Sequence, residues 1–141
     1  MIGIILMSHG ELAEGLLDTC KLFFGDDIAQ IKALCLKSGD NPEEFDLRIK
    51  EAVEEVDSGA GVVAFCDLLF GTPCNRSFYI LNDRLQVVTG MNLPVVMELL
   101  GKRETYDDNH ITVDNINLEE LIETGKNGMV SFNKMAKEMG I

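Results

Sequence analysis

Short apolar segments alternate with longer amphipathic segments along the whole chain. Residues 2–7 and 61–67 are nearly continuous apolar runs, a pattern typical of interior strands of a parallel sheet that is covered on both faces. Residues 28–36 alternate enough to predict a strand nearer the edge, and residues 86–90 predict a fourth, short strand. We therefore expect four strands separated by helices.

The intervening segments carry apolar residues at every third or fourth position, which is the period of a helix that is buried on one side. Asp40 or Asn41 and, later, Asn92 are the expected N-caps of two helices. Gly125 and Gly128 interrupt the last helical segment. The predicted helices cover residues 11–24, 42–56, 74–85, 91–103 and 118–140.

This alternation predicts an α/β fold made of a single domain over residues 1–141. The sheet is expected to be doubly wound and mainly parallel, with the strand order 2-1-3-4 and helices on its flanks. Residues 111–113 could add a fifth, antiparallel strand.

Composition and charge narrow the possible partners. Of 141 residues, 46% are hydrophobic, and 12 basic against 24 acidic residues give a net charge of −12. This charge argues against nucleic acid and anionic membrane surfaces and suits a basic protein partner. No apolar stretch approaches the ~20 residues of a membrane span, and the first strand is too short for a signal peptide. We expect a cytoplasmic protein that is not inserted in a membrane.

The cysteines show no paired spacing and no CxxC motif. Cys20, Cys35 and Cys66 lie in apolar segments, so they are expected to be small, reduced core residues.

Ionisable residues stand at the ends of two predicted strands, His9 after the first and Asp67 after the third. In the order 2-1-3-4 these strands are neighbours, and the winding direction reverses between them, where ligands bind in this architecture. Asp67 could hold one ring nitrogen of His9 and leave the other as a base or nucleophile. Alternatively, His9 only caps the next helix and Asp67 only caps the following loop.

The segment after Asp67 brings a hydroxyl group and the free amides of a helix start to the same rim. Such amides attract anions, and a nucleophilic histidine facing them suggests phosphate carried on histidine. The pattern GxxxxGK[ST] does not occur, so nucleotide is not the obvious donor. No metal or other cofactor is predicted, and His110 is expected at the surface. The candidate phosphate-binding residues are Gly71, Thr72, Pro73, Cys74 and Asn75.

The segments "SHGELAEG" and "DLLFGTPCNRS", which follow the first and third strands, resemble the enzyme IIA domain of the mannose family of the bacterial phosphoenolpyruvate-dependent sugar phosphotransferase system. The resemblance extends through "VVTGMNLPVVMELL" to "LIETGKNG". It implies that His9 accepts a phosphoryl group from the carrier protein HPr and passes it to a histidine of a IIB partner, in support of sugar uptake by the membrane components IIC and IID. It also implies that Asp67 orients His9 and that Thr72 is the hydroxyl residue beside the phosphate.

Two positions depart from the family pattern. Phe70-Gly71 stands where two glycines are common before the Ser/Thr-Pro pair, and Cys74 replaces a larger apolar residue. Phe70 is expected to alter the shape of the loop or to close one side of the site.

The closing segment predicts a symmetric dimer, and the resemblance likewise implies a homodimer in which a terminal element packs against the other subunit. The segment carries more apolar side chains than one face of a small sheet needs, and a dimer would bury them. These side chains, expected to be exposed, are Leu118, Leu121, Ile122, Met129, Val130 and Phe132.

Other classes of protein fit these residues less well. A response-regulator receiver domain needs an acidic pair after the first strand, and a tetrapyrrole metal chelatase usually has Ser and Arg where this chain has Glu11 and Leu12. A mutase-type phosphohistidine enzyme needs several arginines around the phosphate, whereas Arg76 is alone. A regulatory interaction module of the same fold without transfer activity remains an alternative, which a phosphorylation assay would distinguish.

Overall fold

One parallel sheet of four strands forms the centre of the structure. The computed structural model describes residues 1–105 and 111–141. The predicted strand order and the parallel pairing are confirmed, since the strands pair as β2-β1-β3-β4. The strands are β1 (Gly3–His9), β2 (Ile31–Leu36), β3 (Val62–Cys66) and β4 (Leu85–Thr89).

Helices follow the strands in the predicted alternation. Asn41 caps the second helix, because its side chain accepts a hydrogen bond from the Glu43 N–H at 2.9 Å. Asn92 Oδ1 accepts from the Val95 N–H at 3.0 Å in the same way. The helices are α1 (Leu12–Phe24), α2 (Pro42–Val56), α3 (Thr72–Ser77), α4 (Leu93–Thr105), α5 (Leu118–Asn127) and α6 (Phe132–Glu138).

The sheet has an apolar core on each face. Successive side chains of a strand point to opposite faces, so Ile4 and Leu6 join the core under α1, α4 and α5, whereas Ile5 and Met7 join the core under α2. All four side chains are fully buried. Helices therefore cover both faces of β1, which explains why its sequence is continuously apolar.

Three of the four cysteines are buried in these cores, as expected. Cys20 and Cys35 belong to the core under α1, and Cys66 belongs to the core under α2. All four cysteines are free, and Cys74 is half-buried.

The helix predicted over residues 74–85 is wrong in its bounds. Helix α3 begins at Thr72 because proline fits the first turn of a helix, and Pro73 occupies that turn. It ends at Ser77 and continues as a 3₁₀ turn, Phe78–Ile80. The chain then leaves the helix, and the Asn82 side chain accepts a hydrogen bond from the Arg84 N–H at 2.7 Å, a local bond that competes with helix.

The closing segment is interrupted at Gly128, as predicted, but it forms two separate helices, α5 and α6, and Gly125 lies inside α5. The Ser131 side chain accepts a hydrogen bond from the Lys134 N–H at 3.2 Å and so starts α6. Leu121 is fully buried, and Leu118 and Ile122 are partly buried against the same core, so the predicted exposure is wrong for these three. The predicted exposure holds for the other three side chains, Met129 (84%), Val130 (56%) and Phe132 (78%).

Residues 111–113 do not form the fifth strand. The Val113 N–H donates to the Ala60 carbonyl at 2.9 Å, but this single bond does not extend into a ladder. The Val113 side chain instead covers Gly61, where an added Cβ would lie 2.4 Å from Val113 Cγ2. His110 lies outside the described residues. None of the helices in the described ranges has the length and apolar character needed to cross a bilayer.

Candidate active site

His9 is the last residue of β1, and the turn after it is fixed by Ser8. The Ser8 side chain is fully buried, and its Oγ accepts a hydrogen bond from the Ala13 N–H at 2.7 Å and donates to the Gly10 carbonyl at 3.3 Å. Gly10 has a φ of 58°, which a residue with a side chain rarely adopts. The turn therefore leaves the His9 side chain 42% exposed at the carboxyl edge of the sheet.

Asp67 follows β3 and holds both the backbone and the ring of His9. Its Oδ2 accepts from the His9 N–H at 2.9 Å and lies 2.9 Å from His9 Nδ1, and its Oδ1 accepts from the Leu68 N–H at 2.9 Å. A carboxylate can only accept, so Nδ1 must carry the proton that faces it. Nε2 then has its lone pair free and directed away from Asp67. The sequence-based pairing of His9 with Asp67 is present in the structure.

These bonds keep Asp67 ionised. Its side chain is only 11% exposed, and this burial by itself raises the pKa of the carboxyl group. The hydrogen bonds from the backbone and ring of His9 and from the Leu68 N–H outweigh the burial, so the pKa lies below its usual value. The neighbouring Cys66 shows the opposite effect, since burial, its largest cause, raises the pKa of the thiol to about 12. Cys66 therefore remains a neutral thiol.

Gly71 lies against Cε1 of the His9 ring, the carbon between the two ring nitrogens. A Cβ added at Gly71 would be 2.6 Å from His9 Cε1 and 3.2 Å from Leu68 Cβ. A side chain at this position would therefore collide with the ring in its observed place. This close approach explains why glycine suits position 71. The backbone angle does not, because Gly71 has no positive φ.

The predicted phosphate-binding residues differ in whether their N–H groups already donate to an acceptor in the protein or remain able to bind a phosphoryl oxygen. The Gly71 N–H donates to the Leu68 carbonyl at 3.1 Å and the Asn75 N–H donates to the Gly71 carbonyl at 2.9 Å, and proline has no N–H. The first turn of α3 leaves the N–H groups of Thr72 and Cys74 without an acceptor inside the helix. The candidate donors therefore narrow to these two amides and the Thr72 hydroxyl.

Asn75 and Phe70 shape the loop itself. Asn75 Nδ2 donates to the Phe70 carbonyl at 3.0 Å, so the Asn75 side chain braces the loop. Phe70 adopts a φ of 64°, a conformation that favours glycine, the residue common at this position in the family pattern.

Sequence reasoning missed two features that support the site. Ser8 is the only polar residue among the buried residues of β1. A polar residue in a buried strand is a signal of a structural hydrogen bond that the sequence already shows. Arg76 of α3 binds Asp46 of α2 through two hydrogen bonds, Nε to Oδ1 at 2.7 Å and Nη2 to Oδ2 at 2.5 Å. The two residues of this pair are 30 positions apart, so no local pattern reveals it.

Comparison with known proteins matches this arrangement to a family. The family model described as the PTS (phosphotransferase system) fructose IIA component, EIIA-man, matches residues 3–116. The chain belongs to this family. As an EIIA component, it takes part in the bacterial sugar phosphotransferase system, and the resemblance noted in the sequence is confirmed.

Similar proteins agree along most of the chain. The PTS system fructose-specific EIIA component of Bacillus subtilis is 27% identical over 106 residues, which cover 74% of this chain and 72% of that protein. The mannose-specific EIIAB component of Escherichia coli is 27% identical over 134 residues, and the match covers 91% of this chain but 38% of that longer protein. The crystal structure of a PTS IIA protein associated with the fucose utilization operon of Streptococcus pneumoniae is 33% identical, covers 94% of both chains and superposes with a TM-score of 0.79.

Proposed function

We propose that His9 is a phosphoryl relay residue that accepts a phosphoryl group from phospho-HPr and passes it to a IIB component. The observation that carries this proposal is the His9–Asp67 pair. One carboxylate oxygen occupies Nδ1 at 2.9 Å, and the opposite ring nitrogen, Nε2, is left with a free lone pair on a ring that is 42% exposed. A histidine held in this way is prepared for attack on phosphorus.

In the transfer step the lone pair of His9 Nε2 forms a bond to the phosphorus atom. The bond between phosphorus and the histidine nitrogen of the donor breaks, and that nitrogen keeps the electron pair. As the His9 ring becomes positively charged, the ionised Asp67 stabilises it through Nδ1–H. Such a reaction needs positioning and charge stabilisation more than covalent machinery, which fits a site of few residues.

The phosphoryl oxygens would be held at the start of α3. The Thr72 and Cys74 amides and the Thr72 hydroxyl are the available donors, and Gly71 brings this segment against the His9 ring. Hydrogen bonds to charged phosphoryl oxygens are stronger than those between neutral groups. The second transfer, to a histidine of the IIB partner, would use the same arrangement with His9 as the phosphoryl donor.

The proposal also includes the assembly in which the relay operates. We place the protein in the cytoplasm as a homodimer that contacts the membrane components IIC and IID only through IIB. The exposed apolar side chains around α6 support a dimer, because a surface of this kind is usually covered by a partner.

The test is a reconstituted phosphorylation assay with phosphoenolpyruvate, enzyme I and HPr. Since the chain has two histidines, His9→Gln and His110→Gln form a matched pair. The proposal predicts one acid-labile phosphate per chain, lost in His9→Gln, kept in His110→Gln, and transferred to added IIB. Label that persists in His9→Gln, or that is stable to acid, would contradict the relay. A folded protein that takes up no label would favour the regulatory interaction module.

A further inference from the structure

Two cysteines stand at the two ends of the loop that forms the candidate active site. Cys66 is the last residue of β3, and Cys74 lies in the first turn of α3. The chain between them carries Asp67, Gly71 and Thr72. The carboxylate that holds the histidine and the proposed phosphate-binding groups therefore lie on the segment that these cysteines bound.

The fold brings the two cysteine side chains together. Side chains alternate along β3, so Ala64 and Cys66 point into the core under α2. Helix α3 packs against α2 and against β1 and β4, the strands on either side of β3, so it covers the end of β3 on that face. The Cys74 side chain packs against the same core, and a hydrogen bond links it to the Cys66 thiol. The two sulfur atoms are therefore neighbours.

The two thiols differ in what can reach them. Cys66 is fully buried, and burial, with smaller contributions from Cys74 and Asp67, raises the pKa of its thiol to about 12. It stays neutral, and a neutral buried thiol does not react with a dissolved oxidant. Cys74 is half-buried and lines a groove of about 440 Å³ between Phe70 and Phe78. A small oxidant therefore reaches Cys74, and Cys66 is in place to react with the product.

We propose that Cys66 and Cys74 form a thiol-oxidation site, in which a hydroperoxide converts the pair to a reversible disulfide that slows phosphoryl acceptance by His9. Formation of the disulfide does not depend on the relay, whereas its effect on transfer rests on the proposed function. In a reducing compartment such a bond is typically transient and regulatory.

The reaction consumes two thiols and one molecule of peroxide. The Cys74 sulfur, as the thiolate, attacks a peroxide oxygen, the O–O bond breaks, and hydroxide leaves and takes up the former thiol proton, which gives a sulfenic acid and water. The Cys66 sulfur then attacks the Cys74 sulfur, the S–O bond breaks, and the departing hydroxide takes the Cys66 proton and leaves as water. The thiols lose two electrons in all, and the peroxide gains them. A dithiol reductant restores both thiols by exchange.

The disulfide displaces groups of the candidate site. A disulfide bond is about 2.05 Å long, whereas the sulfur atoms of hydrogen-bonded thiols are more than about 3 Å apart. Bond formation therefore moves the start of α3 toward β3 by roughly 1 Å. The Thr72 hydroxyl and the Cys74 amide move with it relative to His9. Since a misplacement of about 1 Å can cost about 100-fold in rate, we expect oxidation to slow transfer by about 10- to 100-fold.

The test begins with oxidation of the folded protein by hydrogen peroxide, which is then removed with catalase. The remaining thiols are alkylated in denaturant, and the protein is digested with trypsin. Both cysteines lie on one tryptic peptide, residues 51–76, because it contains no Lys or Arg before Arg76. The proposal predicts that this peptide loses two hydrogen atoms and takes up no alkylating group, and that dithiothreitol restores both thiols.

The rate of phosphoryl acceptance from phospho-HPr is then measured before oxidation, after oxidation and after reduction. Oxidation should lower the rate by about 10- to 100-fold, and dithiothreitol should restore it. In Cys66→Ala and in Cys74→Ala the reduced and oxidised rates should be equal, because each variant lacks one half of the disulfide. Cys74→Ala changes a half-buried side chain and suffices if Cys66→Ala does not fold.

The other two cysteines provide matched controls. Cys20 and Cys35 are buried in the core on the opposite face of the sheet, which separates them from the proposed pair. Cys20→Ala and Cys35→Ala should each lose activity on oxidation as the unsubstituted protein does.

A peptide 51–76 that keeps both thiols, or in which Cys74 becomes a sulfinic acid while Cys66 stays a thiol, would overturn the oxidation site. A disulfide that leaves the transfer rate unchanged would overturn its effect on His9 while the relay stands. If the reduced protein accepts no phosphate from phospho-HPr, the proposed function fails, and the peptide mass still decides whether the disulfide forms.

Discussion

At the scale of single residues, one carboxylate fixes the backbone, the ring position and the proton of His9, the proposed phosphate acceptor. Asp67 accepts three hydrogen bonds, two from His9 and one from Leu68. In Asp67→Asn one of the two side-chain positions becomes an NH₂ group, so either His9 or Leu68 faces a donor instead of an acceptor. The variant also loses the negative charge that stabilises the ring.

We therefore expect Asp67→Asn to lower the rate of phosphoryl transfer from HPr by roughly 10- to 1000-fold, less than the loss of about 10⁴ in a hydrolase triad. The measurement is the transfer rate at fixed pH, with a thermal melt to confirm the fold. Asp57→Asn is the matched control, because Asp57 Oδ1 accepts from the Gly59 and Gly61 N–H groups in a loop that contains no histidine. If a folded Asp67→Asn protein accepts phosphate from HPr at the rate of the unsubstituted protein, Asp67 only caps the loop.

Gly71 makes a second prediction at the same scale. In Gly71→Ala the new methyl group would lie 2.6 Å from His9 Cε1, so the ring or the loop must move. We expect transfer to fall by about 10- to 100-fold, since a displacement of about 1 Å can cost that much. Gly101→Ala, in α4, meets no atom within 4 Å and should raise stability by about 0.5–1 kcal/mol with no effect on transfer. Equal transfer rates in the two variants would show that the contact with His9 is unimportant.

At the scale of elements, α3 is held in place by its ion pair with α2. The two hydrogen bonds between Arg76 and Asp46 place a short helix of six residues against a long one. The hydrogen bond from Arg76 lowers the pKa of the Asp46 carboxyl below its usual value. The pair thus couples the position of Thr72 to the rest of the molecule.

We expect Asp46→Asn to lower the free energy of unfolding by about 1 kcal/mol at pH 7. Because the pKa of Asp46 is lower in the folded state, the unfolded chain takes up the proton first as the pH falls. The stabilisation is therefore present above pH ~4 and disappears as the pH drops through the folded pKa. Denaturant unfolding at pH 7 and pH 3 measures this.

The control for the ion pair is Glu55→Gln. Its bond to Lys32 joins side chains that are 59% and 44% exposed, so it should contribute less than about 0.5 kcal/mol. A difference between Asp46→Asn and the unsubstituted protein that stays constant down to pH 3 would contradict the role of the carboxylate charge.

The elements also show which features the sequence could predict. The apolar runs of β1 and β3 identified the central strands, and the polar residues at their ends located His9 and Asp67. The prediction that Leu121 is exposed was wrong, because the apolar face of a helix does not show whether the sheet or another subunit covers it. The Arg76–Asp46 pair and the contact of Gly71 with His9 join residues distant in sequence, so they depend on packing that no local pattern encodes.

At the scale of the whole molecule, the apolar surface around α6 predicts self-association. Met129, Val130, Phe132, Met139 and Ile141 are 56–86% exposed on a chain whose charge of −12 otherwise favours a monomer. We expect sedimentation at micromolar concentration to give twice the 15.6 kDa mass of one chain. Phe132→Glu should shift the protein to the monomer, whereas Leu47→Glu, at a side chain 59% exposed on α2, should not. A monomeric unsubstituted protein would contradict the dimer.

The central claim of the account is that phosphate is carried on Nε2 of His9, and nitrogen-15 NMR of the phosphorylated protein tests it most directly. Nitrogen shifts distinguish the phosphorylated ring nitrogen from the one that keeps its proton. Because Asp67 Oδ2 lies 2.9 Å from Nδ1, the account predicts a phosphorylated Nε2 and a protonated Nδ1 in His9, with His110 unmodified. Phosphate on Nδ1 of His9, or on any other residue, would contradict it.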